Sequence, residues 1–227
     1  MKKIFIISLG GSLIVPGEID RQFLKDFKKL IERQIKKGRR FVLIVGGGKL
    51  ARRYQAAAQQ VCKASSAEND WLGIQSTRLN AFLVKTVFQK KAHSEVNINP
   101  QRPENFKEPV LVAAGWKPGF STDYDAVVLA KNLGAKEVIN LSNVDYVYDK
   151  DPNKFKDAKK IEKISWREFR KIIGFKWQPG LNAIFDPVAS GIAQKNDFTV
   201  AIMNGRNLKN LENYLNGGNF EGTLIGS

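Results

Sequence analysis

Short apolar runs alternate with longer helical patterns along most of this chain. Residues 3–9, Lys-Ile-Phe-Ile-Ile-Ser-Leu, read as a short buried strand, and Phe41–Val45 as a second. Both runs are continuous rather than alternating, as a parallel sheet covered on both faces requires. Between them Phe23, Leu24, Phe27, Leu30, Ile31 and Ile35 recur at helical spacing over 20–37, with Gly38 placed to end the helix. Gly46-Gly47-Gly48 then turns into a helix carrying Lys49, Arg52 and Arg53. The spacing predicts a long helix over 70–91, with Leu72, Leu79, Phe82, Leu83 and Val87 as its apolar positions. Residues 94–108 are polar and proline-bearing and read as an irregular connection.

A strand over Pro109–Ala114, a helix over 123–133 closed by Gly134 and a strand over 136–141 follow. Ser165-Trp-Arg-Glu168 has capping-box form and predicts a short helix. Gln178–Ala183 reads as a loop before a helix containing Asp186, and Phe198–Met203 as a strand. A helix over Leu208–Leu215 and a turn at Asn216-Gly217-Gly218 precede the closing segment, Gly222–Gly226. No internal repeat or low-complexity linker interrupts this order. Strands alternating with helices predict an α/β fold: a three-layer αβα sandwich with a mainly parallel central sheet, formed by one domain over 1–227.

Three of the predicted strands run directly into glycine turns: Gly10-Gly11, Gly46–Gly48 and Gly115–Gly119. In an open parallel sheet, ligands gather beyond the carboxyl ends of the strands, so these turns share one edge. The third turn, Gly115-Trp-Lys-Pro-Gly-Phe-Ser-Thr-Asp123, ends in hydroxyl residues where a helix begins. The first N–H groups of a helix have no internal partner and favour an anion. The same stretch is also readable as an ordinary strand-to-helix turn with Thr122 as N-cap. No turn matches the Walker pattern, because Leu50 follows Gly48-Lys49, and the dinucleotide fingerprint is absent.

Composition narrows the function classes. The chain carries 37 Lys and Arg against 22 Asp and Glu, a formal charge of +15. Steering of a polyanionic substrate or a nucleic-acid surface would each explain that excess. The basic pairs Lys36-Lys37, Arg39-Arg40, Arg52-Arg53, Lys90-Lys91 and Lys159-Lys160 are dispersed, which reads as a solvated basic surface and makes nucleic acid the lesser alternative. No apolar run reaches the roughly 18 residues of a membrane helix. The apolar run at the N-terminus breaks at Gly10-Gly11 with no small-residue cleavage site. The single cysteine, Cys62, excludes an intrachain disulfide, and the cytoplasm is the default compartment.

Lys49 and Arg52 are candidates for neutralising a transferring phosphate, although a solvated helix face accounts equally well for one of the neighbouring arginines. Asp145, Asp151 and Asp186 are carboxylates able to hold Mg²⁺ or to orient a lysine, while Asp151-Pro152 is also a plain turn starter. His93 reads as a surface residue, and Trp71, Trp166 and Trp177 as packing residues.

Six markers, in order, resemble the amino-acid-kinase superfamily and, within it, the archaeal-type uridylate kinases. They are Ser8-Leu-Gly-Gly-Ser12, Gly46-Gly-Gly-Lys-Leu-Ala-Arg52, Asp70–Arg78, Pro118-Gly-Phe-Ser-Thr-Asp123, Asn143-Val-Asp-Tyr-Val-Tyr148 with Asp151-Pro152, and Asp186-Pro187. The resemblance runs along nearly the whole chain. It implies transfer of the γ-phosphoryl group of Mg-ATP to UMP, with residues 1–135 as the acceptor half and 136–227 as the ATP half. Ser8, Leu9, Gly10, Gly11, Ser12, Gly48 and Arg52 would line the ATP phosphates, and Ser142, Asn143, Tyr148 and Asp151 the adenosine. Gly47 and Asp70 would hold UMP, wrapped by Gly115, Trp116, Lys117, Pro118, Gly119, Phe120, Ser121 and Thr122. Lys49, Arg52, Asp123 and Asp186 would act at the reacting phosphate, Mg²⁺ would be held mainly through the ATP phosphates, and a hexamer built from dimers would be the assembly.

This chain departs from the superfamily pattern at four points, one of them the bulk of Trp116 and Lys117 in the third glycine turn. Ser8 stands where many members carry a lysine, Gly180–Phe185 contains no lysine, and Tyr146 replaces a glycine in the Val-Asp-Gly-Val motif. The missing lysines make Lys49 the leading cation for the transition state. Alternative readings are a kinase of the same fold for carbamate, acetylglutamate or isopentenyl phosphate, or a non-catalytic nucleotide- or nucleic-acid-binding protein.

Overall fold

A computed structural model describes residues 3–152, 154–174 and 184–226. Its first half runs β1 (Ile4–Leu9), α1 (Gly11–Ile14), α2 (Arg21–Lys36), β2 (Arg40–Val45), α3 (Gly48–Cys62), α4 (Ser66–Phe88), β3 (Val110–Ala113) and α5 (Thr122–Asn132). The second half runs β4 (Glu137–Ser142), β5 (Val147–Tyr148), β6 (Lys160–Ile161), β7 (Lys163–Ser165), α6 (Trp166–Ile173), α7 (Pro187–Lys195), β8 (Thr199–Asn204), α8 (Leu208–Leu215) and β9 (Thr223–Gly226).

The seven-stranded sheet has the order β3-β2-β1-β4-β8-β9-β7. Its first five strands are mutually parallel, and β9 and β7 run the other way. Side chains on a strand alternate between faces, and here the two faces feed two cores. Phe5, Ile7, Leu9, Leu43 and Val45 pack under α1, α2, α4 and α8. Ile6, Val42, Ile44, Leu111 and Val138 pack under α5, α6 and α7. The three-layer sandwich follows from those continuous apolar strands, each with a helix layer to satisfy on both sides.

Capping chemistry sets several of the boundaries. The Asp20 side chain accepts from Phe23 N at 2.9 Å and starts α2, while Ser65 with Glu68 and Ser165 with Glu168 form capping boxes. Gly134, at φ +69°, follows α5 as expected. The N-cap of α5 is Ser121 rather than Thr122, because the Ser121 hydroxyl accepts from Tyr124 N at 3.1 Å. Asp186 precedes α7 as its N-cap instead of lying within it. Tyr146 is not among the residues with positive φ, so the turn that usually holds glycine here does not need a left-handed residue.

The long helix α4 corrects the face that its sequence suggests. Ile74, Ser76, Thr77, Asn80, Ala81, Val84 and Phe88 are buried, whereas Leu79 and Phe82 are 61% and 58% exposed and Leu72, Leu83 and Val87 only half-buried. Polar residues face inward because this helix lies over the backbone of the glycine loops, where hydroxyl and amide groups find partners. Residues 92–97 run along the outer edge of β3, bridged to it at Ala92–Val110 and Asn97–Ala113, so this part of the connection blunts an open sheet edge. β5, β6 and β7 are two- and three-residue strands with no sequence signal of their own. Trp177 and the loop Gln178–Ala183 lie outside the described residues.

Candidate active site

The strand order reverses between β1 and β4, and such a switch point opens a crevice at the carboxyl edge of a parallel sheet. Ser8 and Asn140 are register partners near the ends of these two strands. The Ser8 hydroxyl and the Asn140 amide both donate to Asp123 Oδ1, each at 3.0 Å. Asp186 N donates to Asp123 Oδ2 at 3.3 Å, and the Asp186 carboxylate itself accepts from Ala189 N at 2.7 Å. α5 therefore delivers Asp123, and the Asp186 backbone at the start of α7 meets its carboxylate at the switch point. Burial first, and the Asp186 charge second, push the Asp123 carboxyl up to about 7 against the pull of the Ser8 bond.

The first two glycine turns pack directly on each other. Gly10 N donates to Leu141 O and Gly46 N to Leu9 O, each at 2.9 Å, which fastens both turns to neighbouring strands. A Cβ on Gly11 would lie 2.3 Å from Gly46 O and 2.4 Å from Gly48 N, so only glycine allows this crossing. Asn80 of α4 donates to Gly46 O and Gly47 O at 3.0 and 3.2 Å and holds the second turn from behind. Leu9 is a core side chain, and only its backbone faces the turns. Lys49 and Arg52, in the first turns of α3, are exposed and form no ion pair among the described residues. Both are free to turn toward an anion.

The third loop is held from three sides. Gly115 N donates to Thr77 Oγ1 at 2.8 Å, and Arg78 donates to Gly115 O and Trp116 O at 3.3 and 3.0 Å. Trp116 N donates to Asp125 Oδ2 at 3.2 Å, and Gly119 N to Asp70 Oδ2 at 2.9 Å. Trp116 and Tyr124 lie parallel, Phe120 is tilted against both, and Lys117 Nζ is 4.1 Å from the Trp116 ring centre. The bulky residues of this loop thus pack against each other and give it a shape of its own. Asp125 is fully buried, its Oδ1 has no partner among the described residues, and burial pushes its carboxyl up to about 8.

The residues expected around adenosine spread along the segment after β4. The Ser142 hydroxyl accepts from Val144 N at 3.3 Å, Asn143 is exposed, and Tyr148 lies in β5 opposite Lys160. Asp151 sits in an exposed turn with Lys154 Nζ 4.0 Å away, and Asp145 accepts from Asn204 at 2.9 Å. Asp145 and Asp151 are therefore engaged apart from the Asp123–Asp186 pair. Beside α1, Arg206 donates to Asp20 at 2.6 Å and to Ser12 O at 3.5 Å.

Sequence reasoning passed over Asn140, Thr77, Arg78, Asn80, Asp125 and Arg206. Three of these carried a signal: Asn140 interrupts an apolar strand, and Thr77-Arg78 closes the Asp70–Arg78 marker with a buried hydroxyl and a half-buried cation. His93 is half-buried rather than on the surface, with Nδ1 3.1 Å from Glu108. Trp166 is a core residue donating to Phe198 O at 2.8 Å, but Trp71 is 44% exposed and does not pack in the core. Among the described residues no group of three or more His, Cys, Asp or Glu side chains is placed to hold a metal ion.

An edge of glycine turns, helix starts and exposed cations on a doubly wound sheet is the architecture of a small-molecule phosphotransferase. Residues 3–204 match the amino acid kinase family, and the chain belongs to that family. It is similar to the uridylate kinase of Methanospirillum hungatei, 36% identical over 223 residues that cover 97% of this chain and 93% of that protein. It is also similar to the uridylate kinase of Pyrococcus abyssi, 32% identical over 229 residues covering 97% and 98%. The crystal structure of uridylate kinase from Archaeoglobus fulgidus matches over 100% of both chains, with a TM-score of 0.83 at 31% identity.

Proposed function

We propose that the carboxyl edge of this sheet transfers the γ-phosphoryl group of ATP to the phosphate of UMP, releasing UDP and ADP. The observation that carries the reading is the convergence of three anchored glycine turns on the β1–β4 switch point. Two phosphorylated ligands can face each other there, in a chain 36% identical to a uridylate kinase. An acceptor phosphate is already ionised at neutral pH, so its oxygen attacks without a general base. What remains is positioning and charge neutralisation, and the P–O bond to the ADP leaving group breaks as the new one forms.

In this reading residues 1–135 form the acceptor half and 136–227 the ATP half. Ser8, Leu9, Gly10, Gly11, Ser12 and Gly48 line the ATP phosphates. Ser142, Asn143, Tyr148 and Asp151 border the adenosine. Gly47, Asp70 and the loop Gly115–Thr122 hold UMP. Lys49 and Arg52 turn from solvent onto the transferring group. Asp123, raised to about 7, carries a proton over part of the neutral range and so presents less negative charge to the phosphates than an ordinary carboxylate. Mg²⁺ bound through the ATP phosphates would supply further charge neutralisation. Among the described residues no helix is long and apolar enough to cross a membrane, and the reading places the protein in the cytoplasm. A hexamer built from dimers is the assembly this reading carries, with the exposed apolar face of α4 as a contact between copies.

Lys49→Ala is expected to lower UMP-dependent ADP release on the order of 100-fold, mainly in kcat, because the lost cation acts on charge that develops in the transition state. A variant with unchanged kcat would remove Lys49 from the mechanism. No excess of ADP release with UMP over water in the wild type would overturn the function.

A further inference from the structure

A strongly basic cleft lies away from the carboxyl edge. It lies at the opposite edge, where β3, β2, β1 and β4 begin, and encloses about 800 Å³. A cation stands within three residues of each strand start: Lys107 before β3, Arg39 and Arg40 at β2, Lys3 before β1 and Lys136 before β4. Glu137 is the one carboxylate in the lining, and it is already engaged by Lys3 at 3.8 Å and by the Tyr214 hydroxyl. A neighbouring cleft of about 920 Å³ is balanced, with Lys3, Lys160 and Lys163 against Glu137, Glu162 and Glu221. Charge is therefore concentrated in one cleft and not spread over the whole edge.

Helix ends do not account for these cations. α2 and α5 finish at the cleft, but their last carbonyls are taken by backbone N–H groups of Lys37, Gly38, Leu133, Gly134 and Ala135. Arg39, Arg40, Lys107 and Lys136 form no ion pair among the described residues. Arg40 is fixed in place, stacked 4.1 Å from the Phe106 ring centre and donating to Glu108 O at 3.3 Å, so a bound anion need not order that side chain. A cleft of this volume suits a small ligand rather than a duplex.

We propose that this cleft is a second anion site, which takes a small polyphosphate, free or carried on a nucleotide, independently of the catalytic edge. With strands of six residues the two edges are about 20 Å apart, too far for one such ligand to span.

The test is calorimetric titration of inorganic tripolyphosphate into the wild type and into Lys107→Ala/Lys136→Ala, two exposed residues away from the catalytic edge. Lys49→Ala/Arg52→Ala runs beside them. The expected result is one binding event weakened at least about tenfold by the cleft variant, with UMP-dependent ADP release unchanged. The Lys49/Arg52 variant should leave that event intact. Hydrogen exchange should show tripolyphosphate protecting residues 106–110 and 133–137 in the wild type, a readout that does not depend on either variant folding. ATP in place of tripolyphosphate separates the sources: tighter binding at the cleft assigns it a nucleotide, and equal binding assigns it the phosphates alone. Equal tripolyphosphate affinity in wild type and cleft variant, or protection confined to the catalytic turns, would overturn the proposal. So would cleft-dependent binding of a 20-nucleotide RNA without tripolyphosphate binding, which would make the cleft a nucleic-acid surface.

Discussion

Asp125 is where residue chemistry has the clearest consequence for stability. Its ordinary pKa is 3.8, and burial raises it to about 8 in the folded chain. Between those values the folded state keeps a proton that the unfolded state has lost. Stability therefore falls as pH rises from about 4 to about 8 and levels off above that, with a slope of at most about 1.4 kcal/mol per pH unit from this group. Asp123, raised to about 7, adds the same sign over a shorter window. Asp125→Asn keeps an acceptor for Trp116 N and removes the titration, so its Tm should fall less than that of the wild type between pH 5.5 and 8. Parallel curves for the two proteins would contradict this assignment. Neither shift was legible in the sequence, since burial is a property of the packed site and Asp125 reads there as one more polar residue at a helix start. Gly11 and Gly48 were legible as glycines after strands, but not as the two residues on which the turns cross.

Capping residues, glycine stops and apolar runs predicted most of the elements because each is a local signal. α4 failed at the level of its face. Leu79 and Phe82 look like core positions by hydrophobicity, while the helix in fact buries Thr77 and Asn80 against loop backbone. Only the neighbouring elements determine which side of a helix finds hydrogen-bond partners. The third glycine loop shows the same dependence, since Asp70, Thr77 and Arg78 of α4 all bind it. Arg78→Ala removes both of its loop contacts. The expected effect is a rise in KM for UMP on the order of tenfold with a smaller change in KM for ATP, as a looser acceptor loop costs ordering energy on binding. Equal effects on both substrates would show that Arg78 supports the whole sheet edge and not the acceptor side. β5, β6 and β7 escaped sequence reading because strands of two or three residues carry no periodicity.

The alternation of strands and helices was sufficient for the parallel sandwich and for three glycine turns at one sheet edge, but not for the strand order, which fixes where the crevice opens. The assembly is expected to use the α4 face. Leu79→Asp/Phe82→Asp should shift the molecular mass in solution from an oligomer to a smaller species, read by light scattering, with the far-UV circular dichroism unchanged. An unaltered mass would move the contact elsewhere. The proposed function places both substrates on the shared carboxyl edge, and the most direct test is the acceptor used there. ADP release from Mg-ATP would be compared across UMP, CMP, dUMP, GMP, carbamate, acetylglutamate and isopentenyl phosphate. Selective acceleration by UMP is the expected result; a response to another acceptor, or none to any despite ATP binding, would contradict it.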